Sequence, residues 1–286
     1  MIDGRKVIAF TPSGRERYME ILRSYVEREH AHGLIDEWVV FNNSYTISDD
    51  AYTRALASRA SWIKVLSDQM PVSMRRSPTI YRFYHYLTDT NAIYVRLDDD
   101  IVFVGPHTVE HIVRHKIAHP TLFLVFPTIL NNTRMSYWLQ QAGLLPFEWN
   151  TLTDHFLEPT AWRDPYFAAS IHRRALTVIN SGAPDELDRF SLPEHVTTGR
   201  SSDGVPNNRI SVNCFAIDGR DMAACNVPWD EEGYLSHHRP DQLRRFNGIA
   251  PGAVVCHFAY HPQTVEMEKT GMLEEYARVA ARYPVR

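Results

Sequence analysis

Three cysteines in 286 residues, Cys214, Cys225 and Cys256, are too few and too irregularly spaced for a disulfide framework or a four-thiolate zinc site. That sparsity fits a reducing compartment and a cytoplasmic protein. Long apolar runs are missing as well: TLFLVFPTIL, from Thr121, is about half the ~20 residues a helix needs to cross a bilayer. The start, MIDGRKVIAF, lacks the basic, long-apolar and small-residue regions of a signal peptide, so none is expected, and the sequons at Asn42 and Asn131 read as chance. Charge of one sign is absent too. A net charge of -4 and a pI near 6.4 give no sequence-wide basic surface for a nucleic-acid duplex or an anionic membrane. Neither GxGxxG nor GxxxxGK[ST] occurs, which argues against a dinucleotide dehydrogenase or a P-loop enzyme.

What is present is enough apolar residue, 44%, to build a full core. The first 130 residues alternate short apolar runs with helical patterns, the signature of a mostly parallel sheet covered by helices. Strands are expected at Val7 to Thr11, Trp38 to Phe41, Ile63 to Leu66, Ile93 to Leu97 and Leu122 to Phe126. Helical spacing groups Tyr18, Met19, Leu22, Tyr25 and Val26, then Ile80, Phe83, Tyr84 and Leu87; a third helix opens at Pro106 and carries Val109, Ile112, Val113 and Ile117. Between Asn131 and Asn208 periodicity weakens, prolines and aromatics scatter, and SSDGVPNN closes the stretch, so 131–209 reads as an insertion. Strands over Arg209 to Ile217 and Ala253 to Tyr260 rejoin the core, and a last helix carries Met272, Tyr276, Val279 and Tyr283. No linker separates independent units, so one domain is expected, with a half over 1–130, the insertion, and a C-terminal half over 210–286.

The segment IYVRLDDDIVFV, from Ile93 to Val104, places Asp98, Asp99 and Asp100 between two strand-forming runs. Two ionised carboxylates ~5 Å apart repel by roughly 3 kcal/mol at an effective dielectric near 20, and a third adds to that. A bound cation removes the penalty. In an extended chain Asp98 and Asp100 share a face while Asp99 points away, and two such carboxylates suit Mg or Mn, which leave positions for substrate phosphates. The plainer alternative is a solvated turn between two strands.

The stretch from Tyr94 to Phe103 resembles the DxD region of the GT-A glycosyltransferases. The resemblance implies an α/β, Rossmann-like GT-A fold with an inserted acceptor-side subdomain. It further implies a nucleotide-sugar donor and a divalent cation, Mn or Mg, with Asp98, Asp99 and Asp100 on the metal and the donor ribose. By the same likeness, the loop Thr11, Pro12, Ser13, Gly14 and Arg15 borders the base, and Asn42, Asn43 and Arg82 lie near the donor. Read on its own, Thr11 to Arg15 is equally a helix entry with Ser13 as N-cap, and Arg82 a solvated helix residue. The acceptor is left open. GT-A enzymes commonly add a late histidine to the metal, which His257 in CHFAYHPQ matches; alternatively it is a hydrogen-bonded core residue. Inverting members often carry their base in an acidic pair opening a helix, which points to Asp230 or Glu231 in WDEEGY. The usual order is Glu-Asp, so the choice stays open, and both acids also suit a helix N-terminus.

Three other readings compete. A nucleotidyltransferase would share the parallel sheet and metal carboxylates, but no glycine-rich phosphate loop lies near the N-terminus. Asp98, Asp100 and Val102 satisfy the D-x-D-x-[TV] pattern of a haloacid-dehalogenase-like phosphohydrolase, but three βα units precede it and the later lysines, Lys116 and Lys269, lack a matching context. A non-catalytic glycan-binding protein would use the aromatics of 131–209 as stacking surfaces. The acidic cluster favours an enzyme.

Overall fold

The computed structural model describes residues 1–75, 77–145, 151–182, 184–196 and 209–282. In chain order the first half runs β1 (Lys6–Ser13), α1 (Glu16–Ala31), β2 (Glu37–Asn42), α2 (Ile47–Leu56), β3 (Ile63–Leu66), β4 (Ala92–Leu97), β5 (Ile101–Val104), α3 (Thr108–Ala118) and β6 (Leu122–Leu130). There follow α4 (Thr133–Gln141), α5 (Pro159–Arg163), α6 (Pro165–Asn180), β7 (His195–Val196), β8 (Cys214–Asp218), α7 (Gly219–Ala223), α8 (Glu231–Gly233), α9 (Arg239–Gln242), β9 (Phe246–His257), α10 (Thr264–Met267) and α11 (Met272–Arg282).

Among the described residues nine strands form one sheet in the order β3-β2-β1-β4-β8-β6-β9-β5, with β7 added against β9. β1, β2, β3, β4, β6 and β9 share a direction, while β5, β7 and β8 run against it. The result is an α/β fold with a mostly parallel, mixed sheet flanked by helices. β1, β4 and β6 are buried almost without interruption, because helices cover both faces and a strand so covered must be apolar throughout. α1 buries Tyr18, Met19, Leu22, Tyr25 and Val26, the face its spacing predicts.

Chain direction explains where the site falls. From β1 the chain proceeds to β2 and β3 on one side, then returns to place β4 on the other, so a crevice opens beyond the carboxyl ends of β1 and β4. The loop after β1 and the aspartates after β4 meet there.

Several elements depart from expectation. Ile80 to Tyr86 lie in the 3₁₀ turns of Ser77–Tyr86, not in an α-helix, and Leu87 follows them, yet the three- and four-residue spacings still bury Ile80, Phe83, Tyr84 and Leu87. The strand expected from Arg209 begins only at Cys214, because Val212 and Asn213 cross the crevice first. β9 starts earlier than expected, at Phe246, and shifts register against β6 around Gly252, whose φ is +71°. The segment read as an irregular insertion contains the 16-residue α6. Asp164 caps it by accepting from the Tyr166 and Phe167 amides, and Pro165 supplies its first turn. Tyr283 lies outside the described residues. Among those residues no helix is long and apolar enough to cross a membrane.

Candidate active site

A cavity of about 190 Å³ lies at the crevice, lined from β1 and its loop by Pro12, Gly14 and Arg15, and from the β4–β5 turn by Asp98, Asp99 and Asp100. Ile101 N donates to Asp98 O at 3.1 Å, so the aspartates sit in a tight turn and not in extended chain. Strand alternation therefore does not apply. Asp99, expected to point away, lines the cavity with its neighbours.

Each carboxylate has a distinct anchor. Asp98 Oδ1 accepts from Arg96 Nε at 2.7 Å, and Asn213 Nδ2 lies 3.4 Å from Oδ2. Asp99 accepts from the Gly14 amide at 3.0 Å and from Arg15 Nη2 at 2.6 Å; the same Arg15 nitrogen reaches Asp100 Oδ2 at 2.9 Å. Gly14 permits this approach, since a Cβ there would lie 3.3 Å from Asp99 Oδ2 and 3.4 Å from Tyr45. The electrostatics are uneven. Burial, reinforced by Asp100 and opposed by Arg96, pushes the Asp98 carboxyl up to about 7. Burial also raises Asp99 against the pull of Arg15. For Asp100 burial is outweighed by His257 and Arg15, which hold it well below the usual carboxylate range.

His257 ends β9, buried, with Nδ1 3.0 Å from the Asn131 carbonyl and Nε2 3.6 Å from Asp100 Oδ2. A carbonyl only accepts, so Nδ1 carries the hydrogen and Nε2 faces the acid cluster. Asn131 presents its carbonyl from a left-handed conformation, φ 61°, which asparagine tolerates. His261 is exposed.

Across the cavity stand Glu231 and Glu232. Glu231 Oε1 accepts from Arg96 Nη2 at 2.8 Å, while its Oε2 is buried without a hydrogen-bond partner. Asp230 does not line the cavity: its Oδ1 accepts from the Gly233 amide at 3.1 Å as the cap of α8, and it faces Arg209 at 3.8 Å. A Cβ on Gly233 would lie 2.3 Å from Asp230 Oδ2, so the cap depends on that glycine. Of the two acids, geometry separates a capping residue, Asp230, from one that lines the site, Glu231.

The remaining expected donor residues divide. Pro12 and Arg15 line the cavity, as does Asn43. Thr11 Oγ1 is turned inward to Trp38 Nε1 at 3.0 Å, and Ser13 Oγ pairs with Thr53 at 2.8 Å rather than capping α1. Asn42 is fully buried and bonded to Asp50, Ser67 and Arg75. Arg82 lies 3.4 Å from Asp68 and lines a separate cavity of about 360 Å³ with Tyr81 and Cys225. Sequence reasoning passed over Arg96, which bridges Asp98 and Glu231 from a fully buried position and donates to the Tyr84 hydroxyl. It also passed over Asn213 and Glu232. Only Arg96 had a visible signal, an arginine within the apolar run IYVRL.

The donor set fits a divalent cation. Five carboxyls and two guanidiniums line one cavity, and hard oxygens, with the His257 Nε2 standing 3.6 Å behind Asp100 Oδ2, suit Mn or Mg.

No family model and no curated protein matches the chain. Among solved structures it is similar to glucosyl-3-phosphoglycerate synthase from Mycobacterium tuberculosis in complex with Mn2+, uridine diphosphate and glucosyl-3-phosphoglycerate. That alignment has 13% identity and a TM-score of 0.45, covering 98% of this chain and 80% of that one. It is similar also to 4-diphosphocytidyl-2C-methyl-D-erythritol synthase from Anaerococcus prevotii, at 11% identity and TM-score 0.47, over 96% of this chain and 100% of that one. A third is CMP:2-keto-3-deoxy-manno-octonic acid synthetase complexed with CTP, at 11% identity and TM-score 0.45, over 94% and 98%. These likenesses are too distant to carry activity or substrate to this chain.

Proposed function

We propose that the protein is a divalent-metal-dependent glycosyltransferase that moves a sugar from a nucleotide-sugar donor to a hydroxyl acceptor. The observation that supports this most is the cavity at the sheet's switch point, where the aspartate turn faces Glu231 and where His257, from behind the lining, brings Nε2 to 3.6 Å from Asp100 Oδ2.

Asp98, Asp100 and His257 Nε2 would hold the cation, which when bound offsets the negative charge that develops on the diphosphate leaving group. Arg15, already shared between Asp99 and Asp100, brings a second positive charge to the same end of the cavity. Pro12, Asn43 and Tyr45 line the side nearest β1 and β2, where the nucleoside would lie. Glu231 takes the acceptor hydroxyl proton on Oε2 as that oxygen attacks the anomeric carbon. Arg96 holds Glu231 Oε1, leaving Oε2 as the basic atom, and ties it to Asp98 on the metal side. A single displacement assisted by this base inverts the anomeric centre. Asp230 is assigned to the α8 cap. Residues 131–209 and the C-terminal half would supply the acceptor side.

Turnover of a labelled nucleotide-sugar with Mn tests the reading. Transfer or hydrolysis that releases nucleoside diphosphate supports it. Release of pyrophosphate from a nucleoside triphosphate would indicate a nucleotidyltransferase, release of phosphate from simple phosphomonoesters a hydrolase, and binding of glycans without turnover a lectin-like protein.

A further inference from the structure

Helix α3 and its flanks carry a histidine every fourth residue: His107, His111, His115 and His119. Residues four apart stack on one helix face, so the four imidazoles form a stripe. The first two are accounted for. His107 lies 3.5 Å from Glu110, and His111 Nδ1 is 2.8 Å from the Gly252 carbonyl.

The last two meet an acid from a different part of the chain. Glu194, just before β7, places Oε1 3.7 Å from His115 Nε2 and 3.6 Å from His119 Nε2, and the three donor atoms lie within 4.8 Å of one another. The His115 side chain is 10% exposed, and its Nε2 is buried without a hydrogen-bond partner. His119 Nδ1 is 3.0 Å from the His115 carbonyl, which fixes the hydrogen on Nδ1 and turns the Nε2 lone pair toward Glu194.

We propose that His115, His119 and Glu194 form a second cation site, separate from the aspartate cavity, that takes a transition metal of the zinc class. Donors bound at about 2.0–2.1 Å in a tetrahedron stand roughly 3.3 Å apart; the two histidine–Glu194 separations of 3.7 and 3.6 Å close with a shift of a few tenths of an ångström, and the two imidazoles, within 4.8 Å, close by turning the exposed His119. Two imidazoles and one carboxylate select for zinc or a similar ion over Mg, whereas the oxygen-rich cavity after β4 does the reverse. The fourth position stays open to water. Bound metal would pin the end of α3 to the segment leading into β7, and so fix β7 against β9, its partner at His195–Ile249 and Val196–Gly248.

The test is a titration of the untagged, metal-stripped full chain with Zn2+ alone, in an Asp98→Asn/Asp100→Asn background that weakens the carboxylate cavity. One equivalent should bind, and His119→Ala should weaken it by roughly tenfold or more, with Glu194→Gln also weaker. His119 is 44% exposed, so its removal leaves the core intact. Replacing zinc by Co2+ should give the visible absorption of a tetrahedral nitrogen–oxygen site, lost in His119→Ala. Zinc affinity unchanged in both variants, or no binding by the parent, would overturn the proposal.

Discussion

Asp98→Asn should stabilise the metal-free protein while removing its response to metal. The Asp98 carboxyl sits at about 7 in the folded chain against 3.8 for the free group. Above the folded value the native state holds a charge that burial disfavours, whereas the unfolded chain ionises freely. Between the two values the folded state binds the extra proton, so this group costs stability as pH rises from 3.8 to about 7 and costs nothing below that window. A difference of about 3 units at 1.36 kcal/mol each sets a ceiling of about 4 kcal/mol for removing the charge. The amide nitrogen would then face Asn213 Nδ2, donor against donor, which returns about 1 to 2 kcal/mol. The net gain at about pH 8 is therefore roughly 2 kcal/mol, or several degrees in melting temperature. Chemical denaturation of chelator-treated parent and variant near pH 8 and pH 4 measures it. At the acid end the charge contribution is gone and the donor–donor cost remains, so the gain should turn into a loss of about 1 to 2 kcal/mol, and Mn should stabilise the parent more than the variant. A variant less stable than the parent at both pH values, with an undiminished Mn response, would refute the reasoning.

Glu231→Gln should lower turnover by ~100 to 10,000-fold with donor affinity nearly unchanged, whereas Asp230→Ala should cost about 1 kcal/mol of stability and little turnover. Steady-state kinetics with a melting curve separates the two, and full activity in Glu231→Gln would remove the base assignment. His257→Ala should weaken Mn affinity while His261→Ala leaves it unaltered, because only His257 aims a nitrogen at Asp100. Calorimetric Mn titration reads this directly, and equal affinities would return His257 to a purely structural role.

Much of the frame was legible because parallel strands buried on both faces must be continuously apolar, as Val7 to Phe10 and Ile93 to Val95 are. The aspartate cluster stood out for the complementary reason: adjacent charges in an apolar context need compensation. What the sequence hid was direction. Thr11, Ser13 and Asn42 lie at strand ends beside the site, but their partners Trp38, Thr53 and Asp50 turn them inward, and nothing local records those partners. Asn213 and Glu231 reach the cavity from more than 100 residues along the chain. Strand alternation misplaced Asp99 because a turn had replaced the strand. α6 was legible and missed: Tyr166, Ser170, Arg173, Arg174, Thr177 and Asn180 recur at helical spacing on its outer face while Phe167, Ile171, Ala175 and Val178 are buried, and Asp164-Pro165 marks its start.

In the proposed function the aspartate turn binds a nucleoside diphosphate through a divalent cation. Calorimetry of nucleoside diphosphate binding to the parent and to Asp98→Asn/Asp100→Asn, each with Mn and with chelator, tests it most directly. Binding is expected only by the parent and only with Mn, with the double variant still folded. Equal binding by both proteins, or binding by the parent that chelator leaves unchanged, would contradict it.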